Sequence, residues 1–237
     1  MAMTLADKIT LARLGLAPFI VCAYLLLPIQ HMWCFWVAGL LCALAEYTDL
    51  LDGRIARARN EVSDFGKLAD PFCDVFYRMS VFMVFLLPAG HSGYPVPVEL
   101  GLEDTGGHAL KQLVFAVGRE TDDTKRVILG AGLVPWLPVL LMVLREIVAG
   151  ALRSMTATKG LVLAARWSGK FKAWLQGTAI ISILGFPACW FELAPWHLVY
   201  AYWACWICAI VSVASMVEYL WVNRGVLKSL VDRKPVG

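Results

Sequence analysis

Six apolar runs recur along this chain, near Leu14–Pro28, Met32–Ala45, Val75–Pro88, Leu133–Leu144, Leu175–Phe186 and Leu198–Val222. Each reads as part of a helix. With 59% hydrophobic and only 16% charged residues over 237 positions, the chain reads as an integral membrane protein. Several runs fall short of the roughly 20 residues that cross about 30 Å of hydrocarbon. Their helices must therefore continue into charged sequence, notably Glu46–Arg59 and Arg145–Lys159, which predicts a polar cavity at one membrane face. The expected fold is all-α: one domain over residues 1–237, an integral membrane bundle of six transmembrane helices.

Basic residues set the orientation, because Lys and Arg collect on the cytoplasmic side. Arg54, Arg57, Arg59 and Lys67 lie between the second and third runs; Arg153, Lys159, Arg166, Lys170 and Lys172 lie between the fourth and fifth. Arg224, Lys228, Arg233 and Lys234 crowd the tail, whereas Pro28–His31 has no Lys or Arg and Phe186–Trp196 has only Glu192. Six spans with both termini cytoplasmic satisfy every link. The first run follows Lys8 and Arg13, but no small-x-small cleavage pattern follows Leu27, so it is read as a retained helix. Ahead of it, Met3–Thr10 is short and mixed, in keeping with a short interfacial helix.

One polar segment interrupts the pattern, at about 91–132, with four basic and six acidic side chains and a net charge of −2. It reads as an external loop, in which Ala109–Val117 suits either a short helix or a strand. The seven cysteines all sit in or beside apolar runs and read as packing residues; Cys205-x-x-Cys208 has no second pair to complete a zinc site. The net charge of +3 is accounted for by the inner basic loops, and no nucleic-acid signature is present. A bacterial inner membrane, with the cavity facing the cytoplasm, is the expected location.

Against this apolar background stand Asp49, Asp52, Asp70 and Asp74. The first two are three apart and the last two four apart, so each pair stacks on one helix face. Carboxylates at membrane depth are expensive and repel one another, and a shared cation is the simplest reason to keep them. Oxygen-only ligands favour Mg²⁺, Mn²⁺ or Ca²⁺. A salt-bridged bundle with Arg54, Arg57, Arg78 and Lys67 is the bland reading. A divalent-cation transporter is the rival from another class, although its ligands would be expected near the midplane rather than at one face.

The run Asp49-x-x-Asp52-Gly53-x-x-Ala56-Arg57, followed by Gly66, Asp70 and Asp74, resembles the signature of the CDP-alcohol phosphotransferases at every specified position. A diphosphate is anionic and slow to break, so a site acting on it must neutralise charge and align a hydroxyl for in-line attack. The resemblance implies two divalent cations, Mg²⁺ or Mn²⁺, held by Asp49, Asp52, Asp70 and Asp74, with Asp74 also taking the proton of the attacking hydroxyl. It implies that Gly53, Ala56, Arg57 and Gly66 shape the CDP site, with Thr10 and Arg13 in looser agreement. It further implies CDP-diacylglycerol as donor, membrane lipids as surroundings and a homodimer.

Arg145-Glu146-Ile147, Leu152-Arg153, Gly169-Lys170-Phe171-Lys172 and Gln176 are similar to the matching region of those family members whose acceptor is glycerol 3-phosphate. The resemblance places the acceptor's phosphate on Arg153 and Lys170. Arg145 either joins them or braces a buried acid such as Glu146. Lys159, Arg166 and Lys172 read as positive-inside or headgroup residues. Glu46, one turn before Asp49, is either a partner behind the acids or a polar residue at the cavity edge. Val75 stands where such members usually carry Lys, and Ala173 where they carry Thr, so an inositol-phosphate or serine acceptor stays open.

Overall fold

A computed structural model of the chain describes residues 5–29, 32–59, 64–87, 89, 97–98, 127–128, 132–158, 167–191, 193, 195–225 and 228. Side chains are described for 11–29, 32–48, 72–87, 89, 132–156, 167–191, 193, 196–225 and 228. Six helices form among these residues: α1 (Leu5–Leu26), α2 (Trp33–Arg59), α3 (Asp64–Val84), α4 (Trp136–Thr158), α5 (Trp167–Trp190) and α6 (Pro195–Val222). Among the described residues the fold is all-helical apart from one two-residue antiparallel pairing, Pro97 opposite Ile128 and Val98 opposite Val127, within the polar segment. The short stretch Ala109–Val117 lies outside the described residues.

Helix α2 continues through the acidic stretch to Arg59 and α4 continues to Thr158, as the short apolar runs require. At 27 residues α2 is about 40 Å long, more than the hydrocarbon thickness. The N-terminus differs from expectation. Helix α1 runs unbroken from Leu5, so Leu5–Thr10 are its first turns and not a separate interfacial helix. No Gly or Pro occurs before Gly15 to end a helix there, and the internal Pro18 is accommodated without a break.

Helix α1 packs on α2 and α3; α2 packs on α5, α5 on α6 and α6 on α4, with α3 closing against α4 and α5. Small residues let α2 approach its neighbours: Cys34, Ala38, Cys42 and Ala45 are fully buried along it, and Gly39 lies 3.6 Å from Leu184 of α5, measured from an ideal Cβ. Tyr24, Phe35, Phe82 and Phe85 fill the space between α1, α2 and α3, and Tyr24 Oη donates to the Leu87 carbonyl at 3.3 Å. Gly132 meets the end of α3 so closely that a Cβ would stand 2.1 Å from the Phe85 carbonyl oxygen, where the Leu133 amide also donates at 2.8 Å. At the end of α5, Phe191 takes the left-handed conformation (φ 55°) usually left to glycine, with its ring against Trp36.

The exterior is apolar: Phe19, Leu40, Trp174, Trp203, Ile210 and Val217 are each more than half exposed. Helix α5 and the stretch Trp196–Val222 of α6 are long and apolar enough to cross a membrane, while α1 and α2 carry shorter apolar stretches, Leu11–Leu26 and Trp33–Thr48. Five of the seven cysteines are buried and none is in a disulfide, consistent with packing roles.

Candidate active site

All six helices contribute polar residues to one continuous layer inside the bundle. Arg13 of α1, 1% exposed, forms an ion pair with the Asp74 carboxylate of α3. One turn along α3, Arg78 donates from Nη1 to Asp74 Oδ2 at 3.2 Å. The same guanidinium grips Glu46 of α2 through its other edge, Nε to Oε1 at 3.3 Å and Nη2 to Oε2 at 3.2 Å. Glu46 in turn lies against Gly177 of α5, where an added Cβ would stand 2.9 Å from the carboxyl carbon. Beside this network, Tyr77 Oη donates to the Cys42 carbonyl at 3.3 Å and ties α3 to α2.

The layer continues on α4, α5 and α6. Glu146 accepts from Lys172 of α5 and from Arg145 Nη1, at 3.1 and 3.0 Å to its two oxygens. Arg145 Nη2 donates to Ser215 Oγ of α6 at 3.1 Å, and Ser215 donates to the Ser212 carbonyl at 2.8 Å. Gln176 Nε2 donates to Ser212 Oγ at 3.3 Å and lies 3.4 Å from Met142 Sδ. Glu146, Lys172 and Gln176 are all buried. Toward the end of α4, Arg153 is exposed and bends back so that Nε donates to the Ala149 carbonyl at 3.3 Å; Lys170 is exposed at the start of α5.

Several predicted site residues can be located. Asp49, Asp52, Gly53, Ala56 and Arg57 fall within α2, Gly66, Asp70 and Asp74 within α3, and Thr10 within α1. The backbone therefore puts each aspartate pair on continuous helix, as their spacing requires. Of these, only the Asp74 side chain is among the described ones; those of Asp49, Asp52, Gly53, Ala56, Arg57, Gly66, Asp70 and Thr10 lie outside them, as do Arg54 and Lys67. Among the described residues no cluster of metal-ligating side chains occurs. Arg13 sits on Asp74, and Arg145 on Glu146 and Ser215.

Two features were not legible beforehand. Lys172, read as an inner-face or headgroup charge, is buried on Glu146; its separation of four from Gln176, on one face, was the available signal. The fork from Arg78 to Glu46 spans 32 residues, and nothing local announces it.

The bundle buries an acid, arginines and a lysine between its helices, and the chain belongs to the CDP-alcohol phosphatidyltransferase family, whose model matches residues 3–100 and 112–214. The unmatched residues 101–111 fall inside the polar segment that reads as an external loop. The chain is 27% identical over 227 residues to the CDP-diacylglycerol–glycerol-3-phosphate 3-phosphatidyltransferase of Salmonella choleraesuis, covering 95% of this chain and 97% of that one. It is likewise 27% identical over 226 residues to the protein of the same name from Escherichia coli K12, covering 94% and 97%.

Proposed function

We propose that the chain transfers a phosphatidyl group from CDP-diacylglycerol to sn-glycerol 3-phosphate, giving phosphatidylglycerophosphate and CMP. Full-length similarity to enzymes named for that reaction is the observation that carries this reading. The family membership and the intact eight-position motif support the reaction type.

The donor chemistry fits divalent cations. Arg78 already joins carboxylates from α2 and α3, so the two helices bring acidic groups within reach of one positive charge. Asp49 is one turn beyond Glu46 on α2, and Asp70 one turn before Asp74 on α3, so helical register continues both acidic faces from that contact. Asp49, Asp52, Asp70 and Asp74 would hold two ions, Mg²⁺ or Mn²⁺, through oxygen alone. When bound, such ions neutralise the diphosphate and the departing CMP.

The chain's own residues do the rest. Asp74, on the open side of the layer, takes the proton of the acceptor's primary hydroxyl. The freed oxygen attacks the lipid-side phosphorus, a new P–O bond forms, and the bond to the CMP oxygen breaks. Gly53, Ala56, Arg57, Gly66, Thr10 and Arg13 shape the CDP site, and Arg13 also steadies Asp74. Arg153 and Lys170, both exposed beside the layer, take the acceptor's phosphate; Arg145 supports them from behind through Glu146 and Ser215. The six helices span a bacterial inner membrane with termini and active site on the cytoplasmic side, and the protein works as a homodimer among membrane lipids. The test is an acceptor panel: purified protein with CDP-diacylglycerol and Mg²⁺ or Mn²⁺ should release CMP with glycerol 3-phosphate in preference to inositol phosphate or serine. No CMP with any of the three overturns the reading.

A further inference from the structure

Glu46 and Arg78 lie outside the eight-position motif, yet with Arg13 they form the ion-pair network that ends on its last aspartate. Asp74 is held at two points, Oδ1 by Arg13 from α1 and Oδ2 by Arg78 from its own helix. A carboxylate held at one oxygen can still turn about its last torsion; held at both, it has one orientation. Arg78 is itself a long side chain that would sample many rotamers alone, and the two-pronged contact with Glu46 removes that freedom.

The Glu46 contact carries a cost that needs a reason. A further carboxylate one turn from Asp49 adds like charge to a site already rich in acid, and side-chain exposure of only 21% leaves water little room to screen it. The neighbouring helix is also shaped for it. Gly177 is buried on α5, and a Cβ there would come within 2.9 Å of the carboxyl carbon and of Oε1. The absence of a side chain at 177 leaves the niche in which Glu46 sits.

We infer that Arg78, fixed by Glu46 in the niche beside Gly177, is a positioning residue for the transfer reaction: it sets the Asp74 carboxylate in the orientation from which it accepts the acceptor's proton. The inference rests on the proposed transferase reading. Glu46 acts only through Arg78, and Gly177 only through Glu46, so the three form one chain of dependence ending on Asp74.

The experiment compares Glu46→Gln, Arg78→Lys, Gly177→Ala and the charge swap E46R/R78E with wild type, measuring CMP release and thermal melting in detergent. Glu46→Gln and Arg78→Lys should lower kcat about tenfold or more while KM for the CDP-lipid and for glycerol 3-phosphate stays within about twofold. Gly177→Ala should follow in the same direction with a smaller loss, because its methyl displaces the Glu46 carboxylate. The swap restores an ion pair, so it should melt above the single reversals Glu46→Arg and Arg78→Glu. Its kcat should remain low, because it sets a carboxylate instead of a cation against Asp74. Recovery of kcat together with melting in the swap would mean that the pair only braces the helices, and would overturn the inference. If the swap does not fold, unchanged kcat in Glu46→Gln and Arg78→Lys overturns it equally. A wild-type protein that releases no CMP with any acceptor defeats the transferase reading instead, so the two failures are distinct.

Discussion

The buried layer holds two ionic clusters of similar composition and opposite build. Where α1, α2 and α3 meet, the cations are at the back: Arg13 and Arg78 are 1% and 7% exposed, while Asp74 and Glu46 are 24% and 21% exposed. Where α4, α5 and α6 meet, the acid is innermost: Glu146 is 3% exposed, behind Lys172 and Arg145 at 7% and 10%. In the first arrangement the carboxylates are the more exposed partners, which is what the proposed cation-bound diphosphate needs. The second surrounds a single acid with two cations, and the surplus positive charge suits an anionic acceptor. Burial order, more than residue content, separates the two clusters.

The largest expected effect attacks the open cluster. Asp74→Asn should cut kcat by about 10²–10⁴, the usual range for loss of a general base. Stripping divalent cations with EDTA should abolish CMP release, and Mg²⁺ or Mn²⁺ should restore it. Near-normal turnover in either case would remove the distinction between the clusters.

Next comes the closed cluster. Glu146→Ala leaves Lys172 and Arg145 buried without their acid, at a cost of about 3–5 kcal/mol. Melting in detergent should fall well below that of Asp74→Asn, and the variant's residual activity at low temperature should exceed that of Asp74→Asn. The reverse order would show that the two regions have been assigned the wrong way round.

Why this contrast was only partly legible is a matter of what one sequence encodes. Apolar runs, their lengths and the helical spacing of Asp49, Asp52, Asp70 and Asp74 are local properties, and the helices follow them. Helix α1 began earlier than expected because nothing in Leu5–Thr10 breaks it. Partner choice for buried charge is different. Glu46 meets Arg78, and Glu146 meets Lys172, because of which helices become neighbours, and that depends on the whole bundle. Lys172 therefore read as one more basic loop residue until its helix was placed.

The acceptor side sharpens the comparison at an intermediate scale. Arg153→Ala and Lys170→Ala should each raise KM for glycerol 3-phosphate by about 10- to 100-fold, the weight of a charge-assisted hydrogen bond, and leave KM for CDP-diacylglycerol nearly unchanged. Equal effects on both substrates would take these residues out of the acceptor site. The smallest effect is expected at Ser212→Ala, which removes the hydroxyl that Gln176 reaches at 3.3 Å; a loss of about 1 kcal/mol in stability, without change in either KM, should be seen by melting and steady-state assays.

The most direct test follows the attacking oxygen. Purified protein is supplied with CDP-diacylglycerol, a divalent cation and glycerol 3-phosphate carrying ¹⁸O in its primary hydroxyl. The account predicts ¹⁸O in the new phosphodiester of the lipid product, with one unlabelled CMP released per lipid formed. Label in CMP, or CMP released without a phosphatidyl product, would contradict it.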